Sequence, residues 1–430
     1  MLKRFISLFL ALTLSAALTG CAGTGTQNAG NDPVPGSAEP TQNASRTNYL
    51  NEKGEALPIT LLSNGNRFML KGEYDPLYTG VNNVFAGRMF DSLEAGSTAV
   101  FSPLSLEIAL QVLSEGGDEQ TSKALLDALC PGLTREQVKV SAARLIEKLT
   151  ASKGVTVNSA VIANSAYRIN TDFANAAASY FRASVGALDF SDPKAALEEI
   201  NGWISDNTDG LIEKLVDTVG ADTAVIILNA LTLKLDWEKP FTALRELTEF
   251  HGLKGVENVG MISSVSEYGY ASFDEGQMAL IPYAGGEYAM AVILPAEGVA
   301  PSEAAKALMG RMSECSPAVV SIKMPKVDLD TKLDVLELAD KLGISDGVRG
   351  IFPNMLDDES AIVSAILHGA TLSVTEFGTT ASAATAVITT KGLTPTVCEY
   401  ELLCDRPYAM LIYHVETGAV LFASTVCDVG

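Results

Sequence analysis

Four polar side chains stand isolated in apolar surroundings. They are Ser102 and Ser105 in Phe101-Ser102-Pro103-Leu104-Ser105-Leu106, Asn229 in the aliphatic run 225–235, and His368 in 363–372. A serine beside a histidine base is the chemistry of acyl transfer. It needs an acid to orient the imidazole and backbone N–H groups to hold the oxyanion. No Gly-x-Ser-x-Gly elbow or Ser-x-x-Lys surrounds either serine, so this hydrolase alternative lacks its local scaffold. The plainer assignment is a satisfied polar cluster in the core, because a buried polar group without a partner costs about 1–3 kcal/mol. Metal chemistry finds no footing. The histidines are only His251, His368 and His414, and no Cys-x-x-Cys occurs, so no zinc spacing and no cofactor is implied.

A second stretch is unusual for what it lacks. After Glu376, fourteen residues (Phe377 to Thr390) carry no charge and no proline, have one glycine (Gly378), and are mostly small. A strand edge that must remain soluble normally carries lysine, proline or a bulge. Here the first such residue is Lys391. As a strand, Thr379, Ala381, Ala383, Thr385, Val387 and Thr389 share one face, and Thr380, Ser382, Ala384, Ala386, Ile388 and Thr390 the other. Neither face would overpack a sheet interior or bring a charge into it. The segment reads as backbone kept ready to enter a sheet.

The elements that must position these residues can be read from periodicity. Val81, Val84, Phe85, Met89, Phe90 and Leu93 recur at helical spacing. Ser102 suits a helix cap with Pro103 in the first turn, and Leu106, Ala109, Leu110 and Leu113 supply a buried face. Further helices are expected over 121–129, 135–149, 194–207 and 332–342. In 223–237, Val225, Ile227, Asn229, Leu231, Leu233 and Leu235 occupy one face, and Ile226, Leu228 and Ala230 make the other apolar too. A strand apolar on both faces belongs at the centre of a large sheet. Two hairpins follow, 279–283 with 288–294 and 408–415 with 419–426. Helices early and strands late, without regular alternation, predict one mixed α+β domain.

Composition narrows the class of partner. The formal charge of −22 leaves no basic patch for nucleic acid. Lys3 and Arg4, the apolar stretch 5–18 and then Leu18-Thr19-Gly20-Cys21 form a secretory signal, since a spanning helix needs about 20 apolar residues. The last four residues match the bacterial lipobox, which implies a lipid on Cys21. The polar, small-residue stretch that follows cannot bury enough surface to offset its ordering entropy and reads as a tether. The expected organisation is therefore a signal over 1–20, lipidated Cys21 and tether over 21–70, and one domain over 71–430. Export permits disulfides, but Cys130, Cys315, Cys398, Cys404 and Cys427 are odd in number, so at least one stays unpaired internally.

Several motifs, in this order and spacing, resemble the serpin family over about residues 75–428. Phe101-Ser102-Pro103-Leu104-Ser105 is similar to the segment opening the family's helix B. Asn229-Ala230-Leu231-Thr232-Leu233-Lys234-Leu235-Asp236-Trp237-Glu238-Lys239-Pro240-Phe241 resembles its long central strand and the turn after it. Asn201-Gly202-Trp203-Ile204, Leu280-Ile281-Pro282-Tyr283 and Asp405-Arg406-Pro407-Tyr408 match further elements. The resemblance implies a serpin fold: a large main sheet, further sheets, packed helices and an exposed C-terminal reactive loop. It makes Glu376, Gly378, Thr379, Thr380, Ala381, Ser382, Ala383, Ala384 and Thr385 the loop hinge. It places Ser102, Ser105, Asn229 and His368 in the polar "shutter" under the sheet, and Trp237 in the "breach" where the loop enters.

The implied activity is suicide inhibition of serine or cysteine proteases by a monomer that is not itself an enzyme. Cleavage of the loop lets the hinge insert into the main sheet. In the family's common register the reactive bond is Gly392-Leu393, and one residue shorter it is Lys391-Gly392. Lipid on Cys21 would hold the protein at the outer face of a bacterial membrane. The alternative is a non-inhibitory serpin-fold lipoprotein cleaved as a plain substrate. Thr380, Phe377 and Ala423-Ser424 depart from residues the family often has at those places.

Overall fold

The computed structural model describes residues 72–358, 362–380 and 397–429. Cys21, Ala381, Ser382, Ala383, Ala384, Thr385, Lys391, Gly392 and Leu393 lie outside the described residues, so the expectations placed on them find no structural counterpart.

The helix Pro103–Gly116 is the spine of the molecule. The Ser102 side chain caps it by accepting from Ser105 N–H, and Pro103 sits where a missing N–H costs nothing. Every residue in it except Glu115 is buried, beyond the single apolar face expected. A helix covered all round lies inside the fold. The helices Leu77–Ser92, Glu119–Leu129 and Thr171–Phe181 pack against it.

The main sheet lies across this helix. Its strands run in the order Ser184–Leu188, Val155–Asn164, Val225–Leu233, Val363–Val374, with Val327–Asp334 pairing on the outer side of Val363–Val374. Val225–Leu233 is central and buried throughout. Val225, Ile227, Leu231 and Leu233 join the large core on the helix side. Ile226, Leu228 and Ala230 join a smaller core beneath the crossing helix Pro193–Asn207. This is the two-faced burial expected of a central strand.

A second sheet orders Ala99–Phe101, Val420–Val426, Tyr408–His414, Tyr288–Pro295, Gly276–Pro282, Met261–Phe273, Ser316–Pro325 and Tyr400–Leu403. All of these neighbours are antiparallel except the last pair. Both expected hairpins are present in it.

Three expectations need correction. The helix expected over 332–342 begins only at Val335; Lys332 to Asp334 end the strand Val327–Asp334. Val327, Leu329, Thr331 and Leu333 alternate there with Asp328, Asp330 and Lys332, which is a strand period, and the Asp334 carboxylate then caps Leu336 N–H. The long strand expected over 223–237 is interrupted at Lys234, whose N–H turns to Gly154 O at 2.7 Å, and resumes as Leu235–Asp236. Strands are not confined to the second half, because Val155–Asn164 and Ser184–Leu188 belong to the main sheet.

Candidate functional site

The strands Val225–Leu233 and Val363–Val374 run parallel, paired from Val363/Val225 to Gly369/Ala230. Beyond Gly369 the ladder forks: among the described residues no rung joins 231–233 to 370–374. At the far end of the fork, Gly378–Thr379 occupies the place between the two strands. Thr379 pairs with Val374 on one side and with Leu235 on the other, and Gly378 pairs with Asp236. The chain turns sharply to arrive there. Thr375 N–H donates to Gly378 O at 2.9 Å and Thr380 N–H to Ser373 O at 2.6 Å. The first two hinge residues after Phe377 are thus already strand within the sheet, whereas the family resemblance placed the hinge in an exposed loop.

Residue types explain why this segment fits. A Cβ on Gly378 would stand 2.8 Å from Asp236 Cα and closer still to the Leu235 carbonyl, so only glycine allows the approach. Thr379 is fully buried and its hydroxyl bonds the Tyr283 hydroxyl. Tyr283 is also fully buried, and burial pushes its phenol far up, so it stays neutral. Thr380 ends the insertion. Its φ of 49° is left-handed, a strained choice for a β-branched residue, and its Oγ1 is buried without a partner.

Trp237 is the wall against which this turn is built. Its indole stacks on Tyr283 with ring centroids 4.5 Å apart and 13° between planes, and lies 5.7 Å from Phe241. The indole Nε1–H donates to Thr375 O at 2.9 Å and the backbone N–H to Phe377 O at 2.8 Å. Phe241 N–H holds Glu376 O at 2.8 Å, and Lys326 Nζ reaches Glu376 Oε1 at 3.1 Å. Tyr283, Phe241, Thr375 and Lys326 were not among the expected site residues. Tyr283 and Phe241 lie within motifs legible in the sequence, but contact between those motifs is a tertiary fact.

Beneath the paired end of the two strands, the four isolated polar residues meet. Ser102 N–H donates to His368 Nε2 at 3.0 Å, which fixes that nitrogen as an acceptor. The other ring nitrogen, Nδ1, therefore carries the proton and donates to Asn229 Oδ1 at 2.9 Å. Ser105 Oγ–H donates to the same oxygen at 2.7 Å, and Asn229 Nδ2 donates to Ser159 Oγ at 2.9 Å. Burial lowers the His368 pKa to about 4, so the ring is neutral. The ring faces a backbone N–H and not a serine hydroxyl, and the Ser102 hydroxyl is engaged as a helix cap. The cluster lacks the serine–imidazole hydrogen bond that a nucleophile requires.

The remaining candidates are quickly placed. His414 is buried with Nδ1 3.0 Å from Thr417 Oγ1, and His251 is exposed near Glu249. All five described cysteines are free thiols, so Cys398 (exposed) and Cys404 (buried) are not paired. Among the described residues no group of His, Cys, Asp and Glu could hold a metal ion.

Comparison with known proteins agrees with this architecture. The sequence profile of the serpins, described as serine protease inhibitors, matches residues 80–429. An uncharacterized serpin-like protein of Thermococcus kodakarensis is 26% identical over 397 residues, covering 89% of this chain and 92% of its own length. Putative serpin-Z6C of Oryza sativa is 30% identical over 382 residues, covering 78% and 91%. The crystal structure of tengpin, a thermophilic serpin, in its native state superposes with a TM-score of 0.77 at 21% identity, covering 86% of this chain and all of that one. The fold, the matched span and these relatives together place the chain in the serpin family of serine protease inhibitors.

Proposed function

We propose that this protein is a suicide inhibitor of serine or cysteine proteases, with Gly392-Leu393 as the reactive bond and Lys391-Gly392 as the neighbouring register. The observation that carries this reading is the forked ladder whose mouth already holds Gly378–Thr379. Residues that follow Thr380 would extend the same strand into the fork. The next ones, Ala381 to Thr390, are all uncharged and none is larger than isoleucine. After cleavage, the sixteen residues from Phe377 to Gly392 would span roughly 50 Å at about 3.3 Å each, enough to carry an attached protease from one end of the sheet to the other. The driving force is the set of rungs and the apolar burial missing between the two strands in the uncleaved form. Release of strain by loop insertion is an established kind of switch. No chemistry is asked of this chain's own groups, and no cofactor is needed.

In this reading Ser102, Ser105, Asn229 and His368 hold the two strands together below the fork, and Trp237 with Tyr283 frames its mouth. The protein acts as a monomer, exported and held by lipid on Cys21 at the outer face of a bacterial membrane, with residues 21–70 as tether and 71–430 as the inhibitory domain. Cys21→Ala should release it from the membrane fraction.

The test is incubation with trypsin, elastase and subtilisin, followed by a denaturing gel and mass spectrometry of the released peptide. A band resistant to denaturation, with the cut at one of the two named bonds and a raised melting temperature after cleavage, is expected. Loop cleavage by every protease without a covalent band would instead make the chain a non-inhibitory substrate. Thyroxine-binding globulin, solved with thyroxine, superposes with a TM-score of 0.72, so the fold also occurs in a protein that binds a small molecule.

A further inference from the structure

The helix Pro103–Gly116 carries a second polar cluster one turn beyond Ser102 and Ser105, and the inhibitory reading does not use it. Glu107 is fully buried between the helices Leu77–Ser92 and Glu119–Leu129. Asn82 Nδ2–H donates to Glu107 Oε2 at 2.8 Å. Gln111 Nε2–H and the Cys130 thiol donate to Oε1 at 2.9 and 3.2 Å. Tyr78 O–H donates to Gln111 Oε1 at 2.8 Å and so orients that amide. Among the described residues no cation touches the carboxyl. Arg88, the charged group facing it, gives Nη1–H to Leu342 O and Nη2–H to Ala128 O, and its Nε is buried without a partner.

Three neutral donors are poor compensation for an ionised carboxylate taken out of water. A protonated carboxyl, by contrast, needs an acceptor, and one lies within reach. Asn82 Oδ1 is buried and has no partner. Rotating the Asn82 amide by half a turn puts Oδ1 where Nδ2 now stands, 2.8 Å from Glu107 Oε2, ready to accept from an Oε2–H. Each arrangement makes one Asn82–Glu107 bond and leaves one amide atom unpartnered. The two hydrogen-bond patterns therefore balance, and the charge decides between them.

We propose that Glu107 and Asn82 form a proton-operated switch in the helical core: proton uptake reverses the Asn82–Glu107 hydrogen bond and stabilises the native fold, and proton loss leaves an uncompensated charge there and destabilises it. The window is physiological, since burial raises the Glu107 carboxyl to about 7. The unfolded chain titrates it near 4.3. A folded pKa raised above the unfolded one gives stability that is complete below the unfolded value and lost as pH rises through the folded one. The other groups that face Glu107 do not change charge there. Burial pushes Tyr74, Tyr78 and the Cys130 thiol up, so all stay neutral, and Arg88, although its pKa is lowered, remains cationic.

The test compares thermal and urea unfolding of the full chain and its Glu107→Gln variant from about pH 3.5 to pH 8.5, bracketing the two pKa values. His368 is intact in both proteins, so its contribution cancels in the comparison. Glu107→Gln keeps the shape and stays neutral, so it should match wild type at the acid end. It should exceed wild type at the alkaline end, with an unfolding equilibrium constant lower by up to about five-hundredfold. Parallel curves at every pH would overturn the proposal. Should the variant fail to fold, carboxyl-labelled glutamate in the wild type decides by NMR. A buried glutamate titrating near neutrality, and lost from the spectrum of unfolded protein, supports the switch; no glutamate titrating above about pH 6 refutes it. Neither readout involves a protease, so the result is independent of the inhibitory reading.

Discussion

Thr379→Arg is the sharpest probe of the forked ladder. The wild-type side chain is fully buried between Val374 and Leu235, with its hydroxyl on the buried Tyr283 phenol. An arginine there has no carboxylate to meet, and an unpaired buried charge costs about 3–5 kcal/mol. The hinge would leave the sheet instead, stranding the Tyr283 hydroxyl at a cost of about 1–3 kcal/mol. Expulsion also removes the Thr379 rungs on both sides.

Insertion after cleavage must then bury the same charge. At 1.36 kcal/mol per factor of ten, a penalty of about 3–5 kcal/mol slows the first step by roughly 10²- to 10⁴-fold. Deacylation of the protease is untouched, so partitioning shifts from trapped complex to cleaved, released chain. The assay is a titration of protease with inhibitor, reading denaturation-resistant complex against cleaved product. Thr379→Val keeps the shape and brings no charge; it strands the Tyr283 hydroxyl at about 1–3 kcal/mol before and after insertion alike, so it lowers stability but should leave the rate of insertion nearly unchanged. If Thr379→Arg forms complex as well as wild type does, or if the valine and arginine variants behave alike, burial of this position is not what drives insertion.

Three further outcomes follow from the same geometry. His368 is held neutral with its pKa lowered to about 4, so its stabilising contribution is complete above about 6.5 and is lost as pH falls through 4; in a Glu107→Gln background, where the opposing gain at Glu107 is absent, melting temperature should drop over that interval, and an unchanged one would refute the neutral imidazole. Trp237→Phe keeps a ring on Tyr283 but loses the 2.9 Å bond to Thr375 O, so unfolding free energy should fall by about 1 kcal/mol and hydrogen exchange at 375–379 should quicken. Lys326→Ala removes a half-exposed ion pair to Glu376, worth under about 1 kcal/mol, so complex formation should be nearly unchanged; its abolition would show that the pair restrains the hinge.

What the sequence displayed, and what it hid, divides along physical lines. The two apolar faces of 225–235 and the serine-proline cap at 102–103 are local patterns, and both reappear as burial on two cores and as a capped helix. Asn229 and His368 stood out because polar atoms in apolar runs must find partners, and the partner each finds includes the other. The strand Val327–Asp334 was hidden in part because a helix follows it without a loop, so the 3.6-residue period masks the last rungs of the 2-residue one. The early docking of Gly378–Thr379 depends on Tyr283 and Trp237, which reach it from other parts of the chain, and no local pattern encodes that meeting. Glu107 sat in plain view as a charge inside Leu104-Ser105-Leu106-Glu107-Ile108-Ala109-Leu110. Its meaning required knowing that the helix is covered on every side.

On the proposed inhibitory reading the fork must satisfy two opposed demands, and its residue chemistry bears on both. The strands must stay closed until the loop is cut, yet open faster afterwards than the protease can free itself. Apolar packing alone serves the first demand poorly, because contacts between aliphatic side chains are non-directional and would resist opening along the whole seam. The hydrogen bonds through Asn229 and His368 are directional and confined to the paired end of the strands. Once these few side-chain bonds break, the seam is held by the backbone rungs from Val363/Val225 to Gly369/Ala230, which an inserting strand can replace. Thr380 supplies the complementary restraint at the other end. Its left-handed φ and unpartnered hydroxyl make the arrested hinge locally unfavourable, so relaxing Thr380 to an extended strand relieves strain in the direction of insertion. On the proposed reading the closed form is thus held by a compact polar lock below the fork and poised by a strained residue above it.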